Sequence, residues 1–263
     1  MRRLRRLLQK RTLRWSEGVC VIEGPDLVRS ALDASIEFEA IYVDADASRD
    51  EVLRDLVADA STHGVRVFSL ATGVLERVAD TTTPQPIMAA VRLPIHELSQ
   101  VPADGLVLIL HDVRDPGNAG TLIRSGDAAG ASGVIFTGTS VDPFNPKTLR
   151  STAGSIFHVP VAVASFEGAV TSFRSRGANV FATVVRDGIN LREADLTKPT
   201  AIVIGNEASG LDEEAIALCD GTLTIEMAGA TESLNAGVAG SLIAFEALWQ
   251  RQDTKRPPTT PSL

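Results

Sequence analysis

Residues 106–124 read Leu106-Val107-Leu108-Ile109-Leu110-His111-Asp112-Val113-Arg114-Asp115-Pro116-Gly117-Asn118-Ala119-Gly120-Thr121-Leu122-Ile123-Arg124. The first five are apolar and branched, the signature of a strand covered on both faces. Pro116-Gly117 supplies a turn, Asn118 stands where a helix N-cap belongs, and Arg124 lies along the helix that follows. Strand, turn and helix in so short a stretch point to a parallel α/β sheet. The glycine-rich turn, taken alone, is equally consistent with ordinary loop chemistry carrying a surface arginine.

The same rhythm continues downstream. Gly133–Thr137, Val159–Val163, Val180–Val185, Ala201–Ile204 and Thr222–Ile225 are further apolar runs, most of them separated by helical patterns. Ser233 to Gln250 is expected to be a helix capped by Ser233, with Leu234, Val238, Leu242, Phe245 and Trp249 along one face. Upstream, Val19–Ile22, Ile41–Val43, Val65–Phe68 and Ile87–Val91 alternate with helical patterns that follow Pro25 and Glu51, giving a smaller α/β unit. Pro94 to Asp104 reads as a linker. The expected organisation is therefore a basic arm over 1–15, a small domain over 16–98, a larger parallel-sheet domain over 104–251 and a disordered tail over 252–263.

Composition narrows the function. The chain has 263 residues, 44% of them hydrophobic, and a net charge of −8. No apolar run exceeds about six residues, too short for a bilayer span, and no apolar segment follows the N-terminal arginines as a secretion signal would require. A cytoplasmic protein without a membrane segment is expected. Cys20 and Cys219 stand far apart and read as small core thiols. The four histidines show no ligand spacing, so no metal is expected. Arg2, Arg3, Arg5, Arg6, Lys10, Arg11 and Arg14 crowd the first fifteen residues, where there is no acid. Guanidinium binds phosphate bidentately, so an arginine-rich arm on an acidic body is a candidate nucleic-acid contact. A solvated helix edged by Leu4, Leu7 and Leu8 is the plainer alternative.

Two more loops follow buried strands. Gly205-Asn206-Glu207-Ala208-Ser209-Gly210-Leu211 opens with a glycine that lets a ligand approach the backbone, although Gly-Asn is also common in turns. The segment from Ile225-Glu226-Met227 to Ser233-Leu234-Asn235 brings small and polar residues into the last helix. In a parallel α/β domain, ligands bind beyond the carboxyl ends of the strands, where these loops lie.

Taken in order, Asn-x-Gly-x-x-x-Arg, Gly-x-Glu-x-x-Gly-Leu and Ser-Leu-Asn resemble the three motifs of the SpoU-type RNA 2′-O-ribose methyltransferases, in the SPOUT class. The resemblance covers about residues 104 to 250. Pro146-Lys147-Thr148-Leu149-Arg150-Ser151 is similar to that family's substrate-side segment, and residues 20–98 resemble its L30e-like RNA-binding domain. Glu226 departs from the pattern, which has proline there.

The resemblance implies a C-terminal sheet threaded into a trefoil knot that binds S-adenosylmethionine, and a homodimer. It implies backbone contacts from Gly205, Ile225 and Leu234, with Thr183, Met227, Ser233 and Asn235 as cofactor-pocket neighbours. Arg124 takes the position that activates the ribose hydroxyl, Asn118 would orient Arg124 or the ribose, Glu207 would position Arg124, and Asn235 would fix the nucleotide. Two roles stay open for Arg124: a desolvated base, or a stabiliser of phosphate and oxyanion charge. A permanently protonated guanidinium favours the second. Arg2, Arg3, Arg5, Arg6, Arg11, Arg14, Lys147 and Arg150 are the expected RNA contacts. The expected substrate is 23S rRNA. The alternatives are a tRNA 2′-O-methyltransferase and a non-catalytic RNA-binding protein that retains the fold. Other classes fit poorly: four scattered lysines do not supply a Lys-Asp-Lys-Glu set, and no Gly-Lys-Ser/Thr loop occurs.

Overall fold

A computed structural model describes residues 1–79 and 83–254, apart from the Ser48 side chain. The first ninety-odd residues form α1 (Arg2–Gln9), α2 (Arg11–Glu17), β1 (Val19–Glu23), α3 (Pro25–Asp33), β2 (Phe38–Asp44), α4 (Glu51–Thr62), β3 (Val67–Leu70), α5 (Val74–Val78) and β4 (Ile87–Arg92). There follow β5 (Leu106–His111), α6 (Pro116–Ala128), β6 (Gly133–Thr137), α7 (Pro146–Thr152), β7 (Val161–Val163), α8 (Phe166–Ser175) and β8 (Asn179–Thr183). The last elements are β9 (Ile189–Asn190), β10 (Thr200–Ile204), α9 (Glu213–Ala217), β11 (Gly221–Thr224) and α10 (Ala236–Asp253). Two compact units result: Met1–Pro94 with Asp142–His158, and Ile95–Val141 with the described chain from Val159 onward.

In the first unit a four-stranded sheet has the order β1-β4-β2-β3. The basic N-terminal segment is part of this unit's core. Leu4, Leu7 and Leu8, at helical spacing on α1, pack against Val19, Val21, Leu75, Val78 and Met88. Arg14 is 3% exposed. Its Nε and Nη2 donate to Asp142 Oδ2 at 2.9 and 2.5 Å, and its Nη1 to the carbonyls of Leu7 and Leu8 at 2.6 and 3.1 Å. Trp15 Nε1 donates to the other Asp142 oxygen at 3.2 Å. A buried guanidinium requires such saturation, and this one fastens residues 142–158 to the first unit.

The second unit is a seven-stranded sheet in the order β7-β6-β5-β10-β8-β11-β9, and every pairing in it is parallel. The central strands β5, β6 and β10 are buried along nearly their whole length, which is why they appear in sequence as unbroken apolar runs. The stretch expected to be a linker is packed: Ile95 bridges to Val161, and Val101 is fully buried.

Helix α10 differs from expectation in three ways. Asn235, not Ser233, is its N-cap, accepting from Val238 N at 3.2 Å. The helix continues through Asp253, so the expected tail starts inside it, and residues 255–263 lie outside the described residues. The buried face is made of Ala236, Gly237, Gly240, Ile243, Ala244 and Ala247, packed against α6. Val238, Leu242 and Trp249, expected in one apolar stripe, are 48%, 43% and 52% exposed. Small residues won the inside because they let the two helices approach closely: a Cβ on Gly240 would stand 2.2 Å from Leu122 Cδ2.

Candidate active site

Three loops leave the carboxyl ends of β5, β10 and β11 in the second unit. The first is fixed by Asp115, which caps α6 by accepting from Asn118 N at 2.8 Å, with Pro116 at the first helical position. Asn118 is therefore inside the helix rather than its cap. Its side chain, 8% exposed, is free to turn toward the second loop, and Nδ2 donates to Glu207 Oε1 at 3.0 Å.

Glu207 also accepts from Asp115 N at 3.0 Å and from Arg114 N at 3.2 Å, one on each carboxylate oxygen. Burial raises its pKa, but the hydrogen bonds from Asn118 and from backbone amides outweigh this and hold it below the usual carboxylate value. It is an anion at neutral pH that ties the second loop to the first. Asn206 strengthens the tie, donating from Nδ2 to the Asp112 carbonyl at 2.9 Å while its Oδ1 accepts from Ala208 N and Ser209 N. Asn206 is not legible in the sequence as a site residue, because Gly-Asn is common turn chemistry and nothing local reveals a bond to residue 112.

The second loop closes on itself. Asn206 and Gly210 exchange backbone hydrogen bonds at 3.1 and 2.9 Å. A Cβ at Gly205 would lie 2.6 Å from the Gly210 carbonyl carbon and 2.8 Å from Leu211 Cγ. Glycine is thus required here by the loop's own return, and Gly205→Val would displace residues 205–211 as well as fill the space beside them.

Between the second and third loops is a cavity of about 240 Å³. Its lining brings together Thr183, Gly205, Glu207, Ile225, Met227, Ser233 and Leu234, with Ile204, Leu223 and Ile243 as apolar wall. Thr183, part of the wall, spends its hydroxyl on the Val203 carbonyl at 2.9 Å. Glu226 points away toward the sheet edge, where Oε2 accepts from Asn190 Nδ2 at 2.9 Å and ties the third loop to β9.

Residues 105–245 match the model of the SpoU rRNA methylase family, and residues 1–89 match an MRM3-like substrate-binding domain. The chain belongs to the SpoU rRNA methylase family. The 23S rRNA (guanosine(2553)-2′-O)-methyltransferase RlmP of Bacillus subtilis is 33% identical, with 86% of each chain covered. The 23S rRNA (uridine(2479)-2′-O)-methyltransferase of Streptomyces viridochromogenes is 31% identical over 97% of this chain and 91% of its own. The crystal structure of the SpoU methyltransferase AviRb from Streptomyces viridochromogenes, in complex with AdoMet, superposes with a TM-score of 0.87. Identity there is 30%, with 95% of this chain and 97% of that one covered.

Not every position expected of a SpoU methylase meets its expected partner. Arg124 is exposed on α6, and among the described residues neither Asn118 nor Glu207 bonds to it. No hydrogen bond joins Glu207 to Arg124 among the described residues; that carboxylate accepts from Asn118 and two backbone amides. Asn235 is not in the cavity lining; its side chain caps α10. It does face the first loop, since a Cβ on Gly237 would lie 3.1 Å from Asn235 Oδ1 and 3.2 Å from Asn118 Oδ1.

The expected RNA-binding residues also divide, all of them in the first unit. Arg2, Arg5, Arg6, Arg11 and Lys147 are exposed. Arg14 is withdrawn as an RNA contact because its guanidinium is buried on Asp142. Arg3 is paired with Glu17 and Glu39, both at 2.7 Å, and Arg150 with the buried Glu23 at 3.3 Å. Neither is a free cation. No helix among the described residues is long and apolar enough to cross a membrane, and they contain no cluster of metal-binding side chains.

Proposed function

We propose that this SpoU methylase transfers the methyl group of S-adenosylmethionine to a ribose 2′-hydroxyl of 23S rRNA, acting in the cytoplasm as a homodimer. The observation that carries this reading is the cavity at the strand ends, walled by the family's second and third motifs and tied through Glu207 to the first. Apolar walls with a few backbone and side-chain polar groups suit an adenosine attached to a short amino-acid tail. Gly205, Ile225, Leu234, Thr183, Met227 and Ser233 would hold it. When bound, S-adenosylmethionine supplies an electrophilic methyl on a sulfonium. The remaining demand is to set the ribose oxygen in line and to steady the charge that develops there.

Arg124 meets that demand as an exposed, permanently charged fork on α6, stabilising the developing oxyanion and a neighbouring phosphate. Asn118 and Glu207 act as positioning residues for it by fixing the start of α6, and Asn235 by capping α10. The first unit supplies RNA affinity through Arg2, Arg5, Arg6, Arg11 and Lys147. The exposed Val238, Leu242 and Trp249 give α10 an apolar surface that a second copy of the chain would cover. The names of the two relatives above favour large-subunit rRNA over tRNA.

The experiment is a map of ribose methylation across rRNA and tRNA in a strain lacking the gene. Loss of one 2′-O-methyl in 23S rRNA, restored by the wild-type gene, is expected. Loss confined to tRNA would overturn the target, and an unchanged map would overturn the activity.

A further inference from the structure

Beside the cofactor cavity, in the same unit, the first loop holds an arginine that no motif assigns. Arg114 precedes the α6 cap and is exposed. Its backbone is fixed, because Arg114 N donates to Glu207 Oε2 at 3.2 Å. Its side chain is fixed at one corner only, where Nη2 donates to Thr139 Oγ1 at 3.2 Å. That hydroxyl donates in turn to Asp112 Oδ1 at 2.9 Å, and the Thr139 amide donates to the same oxygen at 2.5 Å.

Several features show that the local backbone is arranged around this relay. Asp112 adopts φ +58, a conformation a non-glycine residue rarely occupies. Gly138, at φ +63, could not carry a side chain, because its Cβ would lie 2.3 Å from Asp112 Oδ1. Burial raises the Asp112 pKa, but the amide and hydroxyl of Thr139, with smaller contributions from the charges of His111 and Arg114, outweigh it and keep the group ionised. The neighbouring carboxylates hydrogen-bond elsewhere, Asp112 to Thr139 and Asp115 to the α6 cap, and Asp112 reaches Arg114 only through Thr139 and through its charge. Among the described residues Arg114 has no ion pair. An arginine used only for structure would spend its fork on a carboxylate or on carbonyls; this exposed one makes a single side-chain hydrogen bond, to Thr139, among the described residues.

We propose that Arg114 is a substrate-binding residue that grips a backbone phosphate of the RNA next to the target ribose, with Thr139 and Asp112 orienting it. The inference rests on the reading of the protein as an RNA methyltransferase. Phosphate is the chemistry that suits it: a planar, half-free guanidinium offers two parallel donors to a phosphodiester. The location is also suitable, since Arg114 and Asn118 hang from the same Glu207 carboxylate, and successive phosphates flank each ribose within the reach of an arginine side chain.

The test uses the full-length protein and an unmodified 23S rRNA transcript. RNA affinity is measured across a salt series, separately from methyl transfer, with S-adenosylmethionine affinity as the control for folding. Arg114→Ala should weaken RNA binding about tenfold and make the salt dependence shallower by about one phosphate contact, with cofactor affinity unchanged. Arg114→Lys should retain the salt dependence but recover only part of the affinity. Thr139→Val, which keeps the charge and removes its tether, should raise the RNA KM without altering the salt dependence. Wild-type affinity and salt dependence in folded Arg114→Ala would overturn the proposal, as would a parallel loss of cofactor affinity, which would make Arg114 a structural residue. Wild-type protein that binds RNA but transfers no methyl group would fail the methyltransferase reading alone, and the affinity difference would still decide Arg114.

Discussion

One carboxylate organises the site. Glu207 collects an amide from Asn118 and two backbone N–H groups, so its ionised form is worth more to the folded chain than to the unfolded one. Its folded pKa lies below the ordinary value of 4.5. The stabilisation is therefore complete above that pH and fades as pH falls through the lower, folded value. The melting-temperature difference between wild type and Glu207→Gln should be constant from pH 7 to about 5 and shrink in more acidic buffer. A difference that grows on acidification would contradict the sign. Glu207, Gly205 and Asn118 were all visible in the sequence as members of motifs, yet the partner of Glu207 was not. Spacing along a helix says which face a residue occupies; it does not say which loop crosses over it. Arg14 was misread for a related reason: in a row of arginines nothing distinguishes the one whose partner, Asp142, lies 128 residues away.

Helices and strands were legible to different degrees because they hide different things. The central strands of the second sheet are covered on both faces, so their burial is written directly as Leu106–Leu110, Gly133–Thr137 and Ala201–Ile204. Strand β9 escaped notice because two residues carry no period. The caps were misplaced by two or three residues where several capping types compete: Asp115 for Asn118, and Asn235 for Ser233. Helix α10 misled most, because its inner face is built from glycine and alanine, which a hydrophobic pattern does not register. The close approach makes its own prediction. Gly240→Ala would drive a methyl into the terminal methyl of Leu122, a fully buried side chain that would have to shift within the core. The cost should be roughly 1–3 kcal/mol of unfolding free energy by denaturant titration. A neutral result would mean that the Leu122 side chain relaxes to admit the methyl and that the close approach is not a packing limit.

At the scale of the whole molecule, the basic N-terminus is at once a charged surface and part of a core. Excision of residues 2–14 would take Leu4, Leu7, Leu8 and Arg14 out of the first unit, so the charges must be removed singly. Replacing Arg2, Arg5, Arg6 and Arg11 by Gln should weaken RNA binding and flatten its salt dependence while leaving turnover at saturating RNA near wild type. The proposed homodimer is tested at the opposite end of the chain: wild type should be a dimer by light scattering, and Leu242→Glu, set in the exposed stripe of α10, a monomer. Retention of the dimer would move the interface elsewhere. Fold and chemistry were legible together in three short motifs, whereas the membership of residues 142–158 in the first unit rests on long-range contacts, the buried Arg14–Asp142 pair among them, that no motif records. The most direct test of the central claim is single-turnover transfer from methyl-labelled S-adenosylmethionine to an unmodified 23S rRNA transcript at saturating RNA, with the labelled position mapped. The account predicts one 2′-O-methylated ribose with wild-type protein, and with Arg124→Ala an unchanged cofactor affinity but a rate lower by about 100-fold or more. Label on a base, or transfer by Arg124→Ala at the wild-type rate, would contradict it.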